Sequence, residues 1–165
     1  MSPSIAVLGH RGWLGQSVVP SLAKAGLPTK VIVRQGSPVG DLPEGVQSVV
    51  LDWADSKAFV SALKDVDVVM LVLVCVPEPW LTRRSLIGQA GLEGQLVLPP
   101  LLAEAGVKLF IPSDYAFTHT SPDDQLVPVM KNKAMLEEAL KTAGVPTLNI
   151  MAGNFAEFAL NTPYV

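Results

Sequence analysis

The chain lacks most of the features that mark out a specialised class of protein. It has one cysteine, Cys75, among 165 residues. A lone cysteine excludes an intramolecular disulfide framework. Inside the apolar run 68–76 it reads as a small hydrophobe. The two histidines, His10 and His119, lie far apart and without carboxylate-histidine spacing, so no metal site is expected. Aromatic residues make up 6%, and 12 basic residues face 15 acidic ones for a net charge of -3. No basic stripe interleaved with aromatics is present, which argues against a nucleic-acid footprint. The run 68–76 is too short to span a bilayer. Gly9, His10 and Arg11 interrupt the N-terminus before the apolar region of a signal peptide can form. No serine nucleophile elbow occurs. These absences predict a cytoplasmic protein with neither a membrane nor a nucleic-acid partner.

What is present is apolar content, 49% of residues, enough for one α/β domain over 1–165 with a sizeable core. Residues 4–8 read as a first strand, apolar on both faces. A helix follows over 14–25, with Pro20 as a flaw and Gly26 as its stop. Residues 30–34 read as strand two, 46–51 as strand three and 67–76 as strand four. Between the last two, 56–64 forms a short helix with Ser56 as its formal cap. The stretch 77–94 carries Trp80, Arg83, Arg84 and three glycines. A helix over 95–105 is interrupted by Pro99 and Pro100. Strand five covers 107–111, a helix rich in strong formers covers 131–142, and strand six covers 147–151. Alternating strands and helices predict a Rossmann-like doubly wound parallel sheet with helices on both faces. In such sheets ligands bind beyond the C-terminal strand ends, where strand order reverses.

The first strand end carries the main signal, Gly9-His10-Arg11-Gly12-Trp13-Leu14-Gly15. Gly9 would permit a sharp exit from the strand, Gly12 a close approach of phosphate, and Gly15 close packing of helix on sheet. The amides of this turn, Trp13 and Leu14 included, would receive a dinucleotide pyrophosphate. An ordinary strand–helix turn is the competing reading. Strand two ends in Arg34, where an NAD-preferring protein usually has a carboxylate for the ribose hydroxyls. A guanidinium there can grip a 2′-phosphate, and Arg11 can add charge from the turn, so the expected cofactor is NADP(H). The alternative for Arg34 is a solvated strand end. Asp52, just after strand three, is placed for the adenine or for capping the next segment. Cys75 and Val76 would line the floor beneath the nicotinamide ribose, or be plain core. Ser113, Asp114 and Tyr115 follow strand five, where a reaction centre would lie. Lys133 opens the long helix and is placed to hold ribose hydroxyls or transfer a proton. Tyr115 and Lys133 lack the Tyr-x-x-x-Lys spacing of common short-chain reductases. Lys131 is the local competitor, read as a solvated charge. Asn154 and Phe155, past strand six, are placed for the cofactor and the nicotinamide region.

The glycine turn, Val33-Arg34, the segment from Gly106 to Tyr115, Lys133 eleven residues before Gly144, and Asn154-Phe155-Ala156 occur in an order that resembles the NmrA-like family of atypical short-chain dehydrogenases. Within it the likeness is to the isoflavone reductase-like and phenylcoumaran benzylic ether reductase-like proteins. The resemblance implies pyrophosphate on Gly9, Gly12 and Gly15, the 2′-phosphate on Arg34, and Lys133 as catalytic or cofactor-positioning base; a pairing of Lys133 with Tyr115 as a second catalytic residue would depend on the fold. It implies hydride transfer from NADPH to a small, often aromatic, substrate. Other members bind the dinucleotide as redox-sensing regulators of partner proteins. Two departures stand out. The stretch 77–89 looks like extra sequence near the cofactor entrance. Family members run to about double this length, so most of the C-terminal substrate region is expected to be missing. A protein partner or a second copy of the chain would then cover the gap. The alternatives are a regulator without turnover and an inactive fragment.

Overall fold

A computed structural model describes residues 2–72, 94–115 and 128–152. Five parallel strands make one sheet in the order β3-β2-β1-β4-β5. They are β1 (Ile5–Leu8), β2 (Thr29–Arg34), β3 (Gln47–Leu51), β4 (Val68–Leu71) and β5 (Leu109–Ile111). The helices are α1 (Gly15–Lys24), α2 (Ser56–Leu63), α3 (Leu98–Ala105) and α4 (Pro128–Thr142). The order reverses between β1 and β4, which makes that pair the switch point of a doubly wound sheet.

Alternation along β1 divides the core. Ala6 and Leu8 join Ile32, Val69, Leu71 and Phe110 on one face, beneath Phe59 and Leu63 of α2, Leu102 of α3 and Leu136 and Leu140 of α4. Ile5 and Val7 join Val31, Val33 and Val72 on the other face, beneath Val19 of α1. Both faces of the central strands are therefore covered, as their unbroken apolar runs require.

Local chemistry sets the helix boundaries and revises several expectations. The α2 cap is Asp55, one residue before Ser56; its carboxylate accepts from the Lys57 and Ala58 amides, each at 3.0 Å. An aspartate two and three residues before those amides satisfies both, whereas Ser56 already lies inside the helix. Pro99 and Pro100 do not interrupt a helix over 95–105. A 3₁₀ turn over Gly94–Val97 precedes α3, and the prolines occupy its first turn, where their missing N–H groups cost nothing. Pro20 stays within α1, on its exposed side. Strand six reduces to one bridge, Phe110 with Thr147, because Pro112 follows directly on the three-residue β5 and leaves little backbone to pair with. Strand four runs over Val68–Leu71, and 73–76 of its expected length lie outside the described residues.

The end of the sheet opposite the strand C-termini is tied by Asp67. Its carboxylate accepts from the Ser4 amide at 2.8 Å and pairs with Lys108 at 2.6 Å, while its own amide donates to the Ser4 hydroxyl at 3.1 Å. One side chain thus registers the starts of β1, β4 and β5. Lys108 first, then the Ser4 amide, hold the Asp67 carboxyl down at about 2.

Two outcomes follow from these contacts. Asp55→Ala should lower stability by about 1 kcal/mol in urea unfolding, and Ser56→Ala by only a few tenths. Because the Asp67 carboxyl is depressed in the folded chain, its stabilisation is complete above about pH 4 and is lost as pH falls through about 2. The difference in urea midpoint between wild type and Asp67→Asn should accordingly be largest above about pH 4 and close towards pH 2.

Candidate functional site

The turn after β1 lies at the switch point. Gly9 has φ +93°, a conformation that favours glycine. The Gly12 amide closes the turn on the Gly9 carbonyl at 2.9 Å. Gly12 is exposed and lies so close to both strand ends that a Cβ would come 3.2 Å from the Gly9 oxygen and 3.5 Å from the Val72 oxygen. Gly15 is buried, and a Cβ there would sit 2.6 Å from the His10 carbonyl carbon and closer still to the Gly9 oxygen. The start of α1 therefore presses directly on the exit of β1. No side chain caps this helix, whose N-cap is Leu14. The Gln16 and Ser17 amides donate to the Gly12 and Leu14 carbonyls at 3.0 and 3.1 Å, so an anion at this helix start would be received by the amides of the turn just before them. Trp13 is exposed on the turn, and Leu14 packs against the core on the α1 side.

His10 serves a structural purpose. It is buried, and its Nε2 lies 2.7 Å from the Val39 carbonyl, which fastens the turn to the loop over 35–46. Arg11 leans the same way, with its Cδ 3.8 Å from where a Gly40 Cβ would be. Arg34 ends β2, exposed, in register with Leu51 of β3. Asp52 comes next along β3; its Oδ1 accepts from the Ala54 amide at 3.0 Å, so it caps the following turn while exposed beside the strand end. Two arginines thus border the same loop on the β2 side of the turn.

The β5 side is built differently. The Asp114 amide donates to the Pro112 carbonyl at 2.8 Å, which bends the chain just past the strand. Asp114 and Lys133 are both buried and form an ion pair at 2.5 Å. Lys133 lies on the buried stripe of α4 with Leu136 and Leu140, at helical spacing. Lys131, by contrast, is exposed. Tyr115 faces the other side of the sheet; its hydroxyl donates to the Leu71 carbonyl at 2.9 Å, and burial pushes it up to about 12. Ser113 is buried, with no hydrogen-bond partner for its hydroxyl among the described residues. It shares a small cleft with Asp114, Lys133, Gln95 and Asn149.

The candidates Gly9, Arg11, Gly12, Trp13, Leu14, Gly15, Arg34 and Asp52 are thus gathered around the first turn, and Ser113, Tyr115 and Lys133 around the end of β5. Cys75, Val76, Asn154 and Phe155 lie outside the described residues. Asp114 lies in the segment read from sequence as the reaction centre, but local pattern alone assigns it no partner. The available signal was a lysine at a core position of α4, which requires a carboxylate nearby. Among the described residues no group of histidine, cysteine and carboxylate side chains could hold a metal, and no helix is long and apolar enough to cross a membrane.

Comparison with known proteins decides the family, since a profile of the NmrA-like family matches residues 1–163. The chain belongs to the NmrA-like family. A phenylcoumaran benzylic ether reductase, Pyrc5 of Pyrus communis, is similar at 29% identity over 96% of this chain and 51% of its own length. The isoflavone reductase homolog IRL of Zea mays is 30% identical over 94% of this chain and 50% of its own. A solved structure, AtPrR2 with NADP+ and (+)pinoresinol, shares the fold with a TM-score of 0.75 at 24% identity, covering 96% of this chain and 52% of that one. This NmrA-like chain spans about half the length of the curated relatives it matches.

The contacts of the two strand ends give opposite signs to familiar substitutions. At a free helical position, glycine to alanine stabilises by about 1 kcal/mol. Gly15→Ala should instead destabilise by about 1–3 kcal/mol in urea unfolding, because the new methyl overlaps the β1 exit. Tyr115→Phe removes one hydrogen bond to Leu71 and should cost about 1 kcal/mol by the same measurement.

Proposed function

We propose that this NmrA-like chain binds NADP(H) across the switch point and forms the cofactor half of a reductase acting on a small, aromatic molecule. The observation that carries this is the glycine cradle at the β1 exit with Arg11 and Arg34 exposed beside it and no carboxylate at the end of β2. A phosphate needs backbone approach, which Gly12 permits, and a helix start to face, which Gly15 brings close. A 2′-phosphate needs cations where an NAD-binding protein would place an acid, and Arg34 with Arg11 meets that need.

The sheet gives the site a direction. Along the strand order, Arg34 on β2 would take the adenosine side, the turn after β1 the pyrophosphate, and the end of β5 the nicotinamide side. Lys133, opening onto that last region, would donate to the ribose hydroxyls there. Ser113 lies beside it. When bound, the reduced cofactor supplies hydride. Tyr115, with its hydroxyl committed to the Leu71 carbonyl and held up at about 12, is assigned to structure rather than to proton transfer. The same commitment of Tyr115 supports a second reading, in which the chain senses the dinucleotide without turning over a substrate.

Fluorescence titration with NADPH and NADH tests the proposal. NADPH should bind more tightly, and Arg34→Ala should weaken it about 10–100-fold while leaving NADH nearly unchanged, the loss expected for one or two charge-assisted hydrogen bonds. Equal affinity for the two cofactors would overturn the role of Arg34. Absence of binding by either would overturn the proposal as a whole.

A further inference from the structure

The buried ion pair at the end of β5 is unusual in its surroundings. Lys133 occupies a core position of α4, in line with Leu136 and Leu140, where an apolar side chain would pack without any desolvation cost. Replacing a buried ion pair by apolar residues of similar volume is often neutral or stabilising, so the pair is not explained by stability. Its position is telling. It lies at the C-terminal rim of the sheet, where ligands bind.

Asp114 is held from three directions. Its amide closes on the Pro112 carbonyl. The next residue, Tyr115, is anchored by its hydroxyl to Leu71 and by its carbonyl to the Ala152 amide at 3.1 Å. Its carboxylate meets the Lys133 Nζ at 2.5 Å. The carboxylate therefore has a fixed backbone behind it, and the lysine, at the end of a flexible stem, is the member whose place is determined by the contact. Gln95, Ser113 and Asn149 line the same cavity, about the size of one water molecule, and each has a buried polar atom without a hydrogen-bond partner among the described residues. Glu137, one turn along α4, also lines it but is exposed. These polar groups share the cavity with apolar side chains, Pro112, Leu136 and Leu140.

We propose that Asp114 is a positioning residue that acts on the nicotinamide side of the cofactor through Lys133, by holding the lysine nitrogen at the end of β5. The proposal rests on the cofactor reading above. It differs from a structural role in a measurable way. Asp114 should matter only when Lys133 is present, and only for ligands that reach the nicotinamide ribose.

The test is a mutant cycle on the full chain with two probes, NADPH and 2′,5′-ADP; the second carries the 2′-phosphate but no nicotinamide ribose. Lys133→Met and Asp114→Asn should each weaken NADPH about tenfold and leave 2′,5′-ADP unchanged. The double variant should be no weaker than Lys133→Met alone, and Asp114→Glu should recover part of the loss. Should Asp114→Asn not fold, Asp114→Leu combined with Lys133→Met, which removes both charges together, replaces it in the comparison with Lys133→Met. The inference is overturned if Asp114→Asn binds NADPH like wild type, if the two losses add, or if 2′,5′-ADP weakens in parallel. Wild-type protein that binds neither probe would instead overturn the cofactor reading on which it stands.

Discussion

The helix α1 can press against the exit of β1 only because residue 15 has no side chain. A Cβ there would lie within 2.6 Å of the His10 backbone, so this one missing atom sets how near the helix comes to the sheet. Much else depends on that distance. It puts the uncapped start of α1 over the switch point between β1 and β4. It leaves Gly12 close to both the Gly9 and Val72 carbonyls, where a Cβ would press on the first at 3.2 Å. It also buries His10, whose bond to the Val39 carbonyl fastens the loop that Arg11 and Arg34 border. The shape of the glycine turn and the placing of the charges beside it thus follow from one packing constraint.

The features that could be read from sequence are those written in local periodicity. Apolar runs such as Ile5–Leu8 and residues 31–33 can be buried only between two helical layers, and so they announced a parallel sheet. Glycine spacing announced the turn, because each glycine there answers a local need of the backbone. The misreadings arose where two adjacent residues competed for one role. Asp55 and Ser56 both cap well, and only the φ, ψ of Asp55 put its carboxylate within reach of the Lys57 and Ala58 amides. Pro99 and Pro100 read equally as the interruption or the start of a helix, and the 3₁₀ turn before them decided it. The loss of strand six came from a partner, β5, too short to pair with it.

The site was half legible for a related reason. The first turn is contiguous in sequence, whereas the end of β5 is completed by α4 and the 3₁₀ turn before α3. Ser113, Asp114 and Tyr115 stand together in the chain, yet alternation sends Tyr115 to the α1 side of the sheet and leaves Asp114 to meet α4. A tyrosine and a lysine near one another in a reductase-like fold invite a proton-transfer pairing. Here the tyrosine is spent on joining the end of β5 to β4 through the Leu71 carbonyl, and the lysine's partner is the aspartate just before the tyrosine.

The two sides of the sheet's C-terminal rim therefore hold charge by opposite physical means. Arg11 and Arg34 are exposed, so their positions are loosely set and salt screens their field, which suits capture of a phosphate from solution. Lys133 is buried and paired, so its charge is scarcely screened and its location is set by Asp114. A solvated charge contributes reach, and a buried one contributes placement. A long, polyanionic ligand lying across the sheet needs the first where its phosphate is caught and the second where its far ribose must be oriented. The order β2-β1-β4-β5 puts them in that sequence along one rim.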